Sequence, residues 1–235
     1  MDTKPVPKEQ WSDMERKTRI ELAAAYRMVA HYGWSELVYN HLTARIPGTD
    51  FILLNPFGLG FEEITASSLV KIDLHSGNIV DPGTTEYGIN SDTVAVASMK
   101  EGLIEDLCQN TMICGEISYH DYEGISVNEE EEARIQKDLG NTSMNLFLRN
   151  HGILTCGTTV QEAMFRLFLL VKACEIQVRT LSAVGGDISK LQKPAADTRY
   201  QARNVSSGFT KVGFGVKEFD YMIRVIDRID PSYKD

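Results

Sequence analysis

The sequence predicts an α/β chain in which helices cover a mixed, largely antiparallel sheet. Three observations carry that prediction. Helical and strand-like periodicities alternate along the 235 residues. The strand-like pieces come partly in hairpin-like pairs, which favours antiparallel pairing over a doubly wound parallel sheet. The apolar fraction of 43% with 24% charged residues is that of a globular chain of ordinary solubility.

From Met14 to Tyr32, Ile20, Ala23, Ala24, Met28 and Val29 recur at three- and four-residue spacing, the signature of an amphipathic helix. Gly33 is its expected stop. Leu37 to Ile46 reads as one or two strands ending at Pro47-Gly48, and Phe51 to Leu54 as the next strand, closed by Asn55-Pro56-Phe57-Gly58. Val70 to Leu74 is a further strand, and His75-Ser76-Gly77-Asn78 has the composition of a turn. The polar run Asp81 to Gly88 reads as a loop, Thr93 to Lys100 as a short helix, and Thr111 to Ser118 as a strand.

Glu129 to Glu132 opens a helix reaching Leu139; four carboxylates suit the positive end of a helix dipole, and a solvated face is the expectation for them. Met144 to Leu148 and Ile153 to Cys156 are strand-like runs around Arg149-Asn150-His151-Gly152. Thr159 and Glu162 form a capping box for the longest helix, which runs to about Ala183 and stops at Gly185-Gly186. Residues 187–215 read as irregular, and Val216 to Ile229 as a last amphipathic helix stopped by Pro231. The length fits one domain over 1–235, with residues 1–13 expected to be flexible.

A formal charge of −9 opposes binding to nucleic acid or to anionic lipid. The longest apolar stretch, Met164 to Ala173, contains Arg166 and Lys172 and is too short to cross a bilayer. The start of the sequence carries no secretory pattern. Cys108, Cys114, Cys156 and Cys174 show no CxxC spacing, as expected of reduced thiols in a cytoplasmic protein.

A catalytic divalent metal needs convergent imidazole or carboxylate ligands. The five histidines are His31, His41, His75, His120 and His151, and no two of them form His-x-His. His31 suits a helix C-terminus and His75 a solvated turn. The other three lie beside apolar runs, where a buried, hydrogen-bonded histidine is as good a reading as a ligand.

The segment Leu148-Arg149-Asn150-His151-Gly152-Ile153-Leu154-Thr155-Cys156-Gly157, followed by Thr159-Val160-Gln161-Glu162-Ala163, resembles the Asn-His-Gly segment of class II aldolases and adducin head domains. Glu62 to Val70, Asp81 to Glu86, Tyr119 to Gly124 and Ala173 to Gln177 resemble the same family, in order along nearly the whole chain. The resemblance implies the three-layer class II aldolase/adducin-like fold. It puts His151 in the place of a zinc ligand and Glu86 in that of the catalytic acid/base. It also puts Thr43, Asn55 and Gly58 in the substrate-binding turns, where Phe57 replaces a hydroxyl with bulk and argues against a sugar phosphate.

The family's His-x-His pair has no counterpart, because Gly88-Ile89-Asn90 passes almost directly into Thr93-Val94-Ala95 and about one helix and one strand are missing. His120 or His41 are the available substitutes for the missing ligands. The resemblance therefore implies an adducin head-like homo-oligomeric binding or scaffold protein, with actin or spectrin as family-level partners. The alternative it implies is an aldehyde-lyase or epimerase-like enzyme, dependent on zinc or another divalent metal and acting on a small hydroxy-carbonyl or sugar compound.

Overall fold

The computed structural model describes residues 5–84, 99–100, 102–124, 129–195, 197–198, 200–202, 204 and 213–235. The chain divides into two compact units, Met1–Asp92 with Glu218–Asp235, and Thr93–Lys217. The division falls two residues after Asn90, where the sequence resemblance is interrupted.

The first unit is built on helix α1, Asp13–His31. Ser12 caps it by accepting from the Glu15 amide at 3.1 Å, and Gly33 ends it at φ +69°, with the Trp34 amide donating back to the Val29 carbonyl. The run of small and apolar residues Leu22 to Tyr26, with Met28 and Val29, is buried. Strands β1 (Thr43–Arg45), β2 (Phe51–Leu54), β3 (Val70–Asp73) and β4 (Ile79–Asp81) form an antiparallel sheet in sequence order. Leu53, Leu54, Phe61, Ile64 and Leu69 complete this core with Tyr233, Phe219, Met222 and Ile226 from the end of the chain.

Two arginines tie this unit together. Arg19, fully buried, donates to Glu15 at 3.0 Å, to Asp81 at 2.7 Å and to the carbonyls of Ala66 and Leu69 at 3.2 and 2.8 Å. Its guanidinium lies 4.4 Å from the Trp11 ring centroid. Arg27 donates to the Ile64 carbonyl and to Asp230, joining α1 to the C-terminal turn.

The second unit holds a three-stranded sheet in the order β5 (Ile117–His120), β6 (Asn145–Leu148) and β7 (Gly152–Thr155). β5 and β6 are parallel, and β6 and β7 antiparallel. Helices α2 (Gln109–Cys114), α3 (Glu129–Leu139) and α4 (Val160–Ala183) belong with it. Its core gathers Leu103, Cys114, Ile117, Phe147, Leu169, Leu170 and Ala173. Helix α5, Val216–Ile229, leads back into the first unit. Four of the five strand pairs described are antiparallel, so the sheets are mixed and largely antiparallel, as the sequence indicated.

Three expectations need correction. Thr111 to Cys114 is helix rather than strand: Thr111 and Cys108 close a cap, and Gly115 at φ +105° stops the turn before β5 begins. Ile79 to Asp81 is a strand that the turn and loop readings on either side of it concealed. Leu37 to Tyr39 lies outside β1, with Leu37 at φ +52°. The helix expected over Thr93 to Lys100 lies mostly outside the described residues.

Replacing Arg19 with Leu removes the guanidinium shared by the buried Glu15 and Asp81 carboxylates and leaves only Lys71 on the one and backbone amides on the other. Urea unfolding should show a loss of about 3–5 kcal/mol; a loss below about 1 kcal/mol would show that the network contributes little.

Candidate functional site

In the first unit, the candidate binding turns meet at the hydroxyl of Tyr26. That oxygen accepts from the amides of Leu42 at 2.8 Å and Asn55 at 3.1 Å, and it donates toward Asn55 Oδ1, 2.8 Å away. Burial pushes the Tyr26 phenol well above its usual pKa, so it stays a donor. Thr43 opens β1 opposite Leu54, which brings it beside the Asn55 turn. Thr43 is exposed, whereas Asn55 is fully buried and its Nδ2 has no partner among the described residues. Gly58 is exposed at φ +103°, a conformation that disfavours any side chain. Phe57 packs near Tyr39, with ring centroids 6.2 Å apart. His41 is exposed in this same unit. Glu86 lies outside the described residues.

The second unit brings two of the named histidines to one cleft. Leu148 and Gly152 pair across β6 and β7, leaving Arg149-Asn150-His151 as a three-residue turn. Asn150 takes φ +57°, which an asparagine tolerates better than most residues, and the His151 amide donates to the Leu148 carbonyl at 3.1 Å. His120 ends β5 alongside Leu148, and its carbonyl accepts from the Arg149 amide at 2.8 Å. The carboxyl ends of the parallel pair therefore carry His120 and the turn bearing His151. Both line a cleft with Asp121, Tyr122, Glu131 and Arg149.

His120 is only 4% exposed. Its Nδ1 lies 2.7 Å from Asp138 Oδ2 on α3. Its Nε2 has no hydrogen-bond partner among the described residues and lies 3.9 Å from Glu131 Oε1 and 4.0 Å from Glu123 Oε1. Glu131 and Asp138 are two helical turns apart, so one face of α3 presents both toward β5. The acidic run is thus only partly the solvated face anticipated: Glu130 and Glu132 are exposed, but Glu131 is buried. The seven-residue spacing was the available signal in the sequence. Arg149 turns its guanidinium over the Tyr119 ring, 4.4 Å from the centroid, and donates to the Met99 carbonyl.

Among the described residues, these side chains do not assemble a three-ligand metal centre. A catalytic zinc site usually takes three protein ligands at about 2.0–2.2 Å from nitrogen or oxygen. Among the described residues, no group of three or more histidine, cysteine, aspartate or glutamate side chains is placed to hold a metal ion. Glu123 is already forked onto Arg134 at 2.9 and 3.0 Å. The thiols are no better suited: burial raises Cys114 and Cys174 to about 12 and Cys156 in the same direction. No helix among the described residues is long and apolar enough to cross a membrane.

The fold and these turns define a class II aldolase-type domain. The family model described as "Class II Aldolase and Adducin N-terminal domain" matches residues 20–94 and 89–178. The chain belongs to that family. A protein named as an aldolase class 2 protein in Pseudomonas aeruginosa is 36% identical over 96% of this chain and 95% of its own length. Alpha-adducin of Rattus norvegicus is 39% identical over 92% of this chain, which matches 34% of that longer protein. The crystal structure of an aldolase II superfamily protein from Pseudomonas syringae superposes with a TM-score of 0.85, at 34% identity over 97% of this chain and 99% of that one. An L-fuculose 1-phosphate aldolase from Glaciozyma antarctica, with a TM-score of 0.76 and 22% identity, shares the fold.

The alignment with the Pseudomonas aeruginosa protein runs over 247 positions, more than the 235 residues present here, so positions of that relative have no counterpart in this chain. The two segments matched by the family model meet at 89–94, where the sequence reading sets the absent helix and strand.

Two predictions follow from these environments. Tyr26→Phe, which leaves the Asn55 and Leu42 amides without their acceptor, should lower unfolding free energy by about 1–3 kcal/mol; an unchanged denaturation midpoint would show those groups are satisfied elsewhere. Cys114 and Cys174 should react with a disulfide reagent only on unfolding, since the thiolate is the reactive form; rapid labelling of either in the native protein would overturn their assignment as inert.

Proposed function

We propose that this chain acts as an adducin head-like binding or scaffold module that self-associates, and that it does not turn over a substrate by the family's metal chemistry. The observation that carries this reading is the ligand inventory. The sequence has five histidines and no His-x-His pair, and in the unit containing His151 the only other imidazole is His120, whose Nδ1 is engaged by Asp138. Phe57 in the candidate substrate turn supports it, by adding bulk where the family offers a hydroxyl. Association with actin or spectrin and a cytoplasmic location are part of the proposal. Both rest on the likeness to adducins, of which this chain matches about a third.

Elemental analysis of the purified protein, alongside its mass in solution, tests the reading. The expected result is less than stoichiometric zinc or manganese and a mass of two or more chains. Stoichiometric metal that disappears in His151→Ala would overturn it, as would a strictly monomeric protein.

A second reading has one specific observation in its favour, since His120 and His151 line a common cleft. In it, His151 with His120 or His41 binds a divalent metal. Glu86 serves as acid/base in cleaving or epimerising a small hydroxy-carbonyl compound, with Thr43, Asn55 and Gly58 holding the substrate. It expects metal-dependent turnover that falls by a factor of about 100 or more in Glu86→Gln. Turnover unchanged by that substitution removes Glu86 from the role.

A further inference from the structure

We infer that the cleft at the carboxyl ends of β5 and β6 is a binding site for a primary ammonium group, held by His120 and Glu131 without a metal. The inference is independent of self-association.

The starting point is a buried nitrogen with no hydrogen-bond partner among the described residues. Asp138 in its carboxylate form can only accept, so the 2.7 Å contact assigns the proton of the neutral imidazole to Nδ1 and leaves a lone pair on Nε2. His120 is 4% exposed, and no described group donates to Nε2. A buried polar atom left unsatisfied is destabilising unless something fills the position. The nearest carboxylate oxygens are 3.9 Å away on Glu131 and 4.0 Å away on Glu123. Both separations are too long for a direct hydrogen bond; Glu123 is already held by Arg134, whereas the Glu131 oxygen suits a single interposed donor at about 2.8–2.9 Å from it and from Nε2.

The chemistry of the acceptors selects the donor. An imidazole lone pair and the Glu131 carboxylate offer no proton of their own, so the occupant must donate more than once from one atom. A hydroxyl donates once. An ammonium group donates three times and carries the charge that the Glu131 carboxylate complements. Its closest rival is a water molecule, which donates twice but brings no charge. Arg149 also lines the cleft, but its guanidinium is stacked on Tyr119 and bonded to the Met99 carbonyl. The cavity volume is about 10 Å³, room for one water-sized group, so the head of a slender amine fits and a bulky one does not. The position at the carboxyl ends of a parallel strand pair is also where α/β sheets commonly bind ligands.

The test is titration of the whole chain with methylammonium chloride, read from the ring-nitrogen chemical shifts of its histidines at constant ionic strength. His120 is assigned by the signal missing from His120→Gln. The expected result is a saturable shift of the His120 Nε2 signal with methylammonium and none with tetramethylammonium, which has the same charge but no N–H. Methanol should leave the signal in place, and Glu131→Gln should weaken binding at least about tenfold. An unmoved signal across the methylammonium series would mean that water alone fills the position, and would overturn the proposal. Equal shifts with tetramethylammonium would reduce the effect to non-specific charge, and equal shifts with methanol would assign a hydroxyl site instead. Zinc chloride that shifts His120 and His151 together, in place of a methylammonium response, would restore a metal site. Should His120→Gln fail to fold, the His120 ring signals are assigned in the unsubstituted chain by connectivity to its backbone, and the titration of that chain decides among these outcomes.

Discussion

The guanidinium of Arg19 organises the first unit. A single charged group with no contact with solvent is matched by Glu15 one turn away on its own helix, by Asp81 at the end of β4 and by two backbone carbonyls from the 66–69 turn. Lys71 on β3 reaches the other oxygen of Glu15 at 2.7 Å. Asp81 in turn accepts from the amides of Val6 and Gly83. Helix, sheet edge and the entry to the loop that leads toward Glu86 are therefore all fixed to one buried charge. A buried ion pair is weak evidence for net stability, and its best-attested use is to fix register. Here the contacts fall on the end of β4 and on the turn just before β3.

Local chemistry made much of this legible in advance. Helices α1, α4 and α5 could be read to within a residue or two because each has apolar periodicity together with a cap or a glycine or proline stop. Strands β2, β3, β6 and β7 announced themselves as short apolar runs between turn residues. What stayed hidden was structure set by tertiary context. Thr111 to Cys114 has the composition of a strand, yet Arg166 and Asn145 both donate to the Cys114 carbonyl, and the short helix packs on α4. Ile79 and Val80 are only two residues between a turn and a proline loop, too few to show a period.

The candidate site divides in the same way. His151 could be picked out because the residues around it are contiguous in sequence. The environment of His120 could not, because Asp138, Glu131 and Glu123 reach it from a helix and a loop whose meeting depends on the parallel pairing of β5 with β6. An acidic run looks alike in sequence whether all of its members face water or one of them turns inward. Only the packing of α3 against β5 separates Glu131 from Glu130 and Glu132.

Three polar contacts among the described residues of the cleft are made within Thr93–Lys217: Asp138 to His120, Arg149 to Met99, and the His120 carbonyl to the Arg149 amide. None of them calls on a residue before the join at 89–94. A lineage that lost the metal-binding strand there would thus have kept this pocket intact as an inherited piece, free to be selected for a different task while the older chemistry decayed.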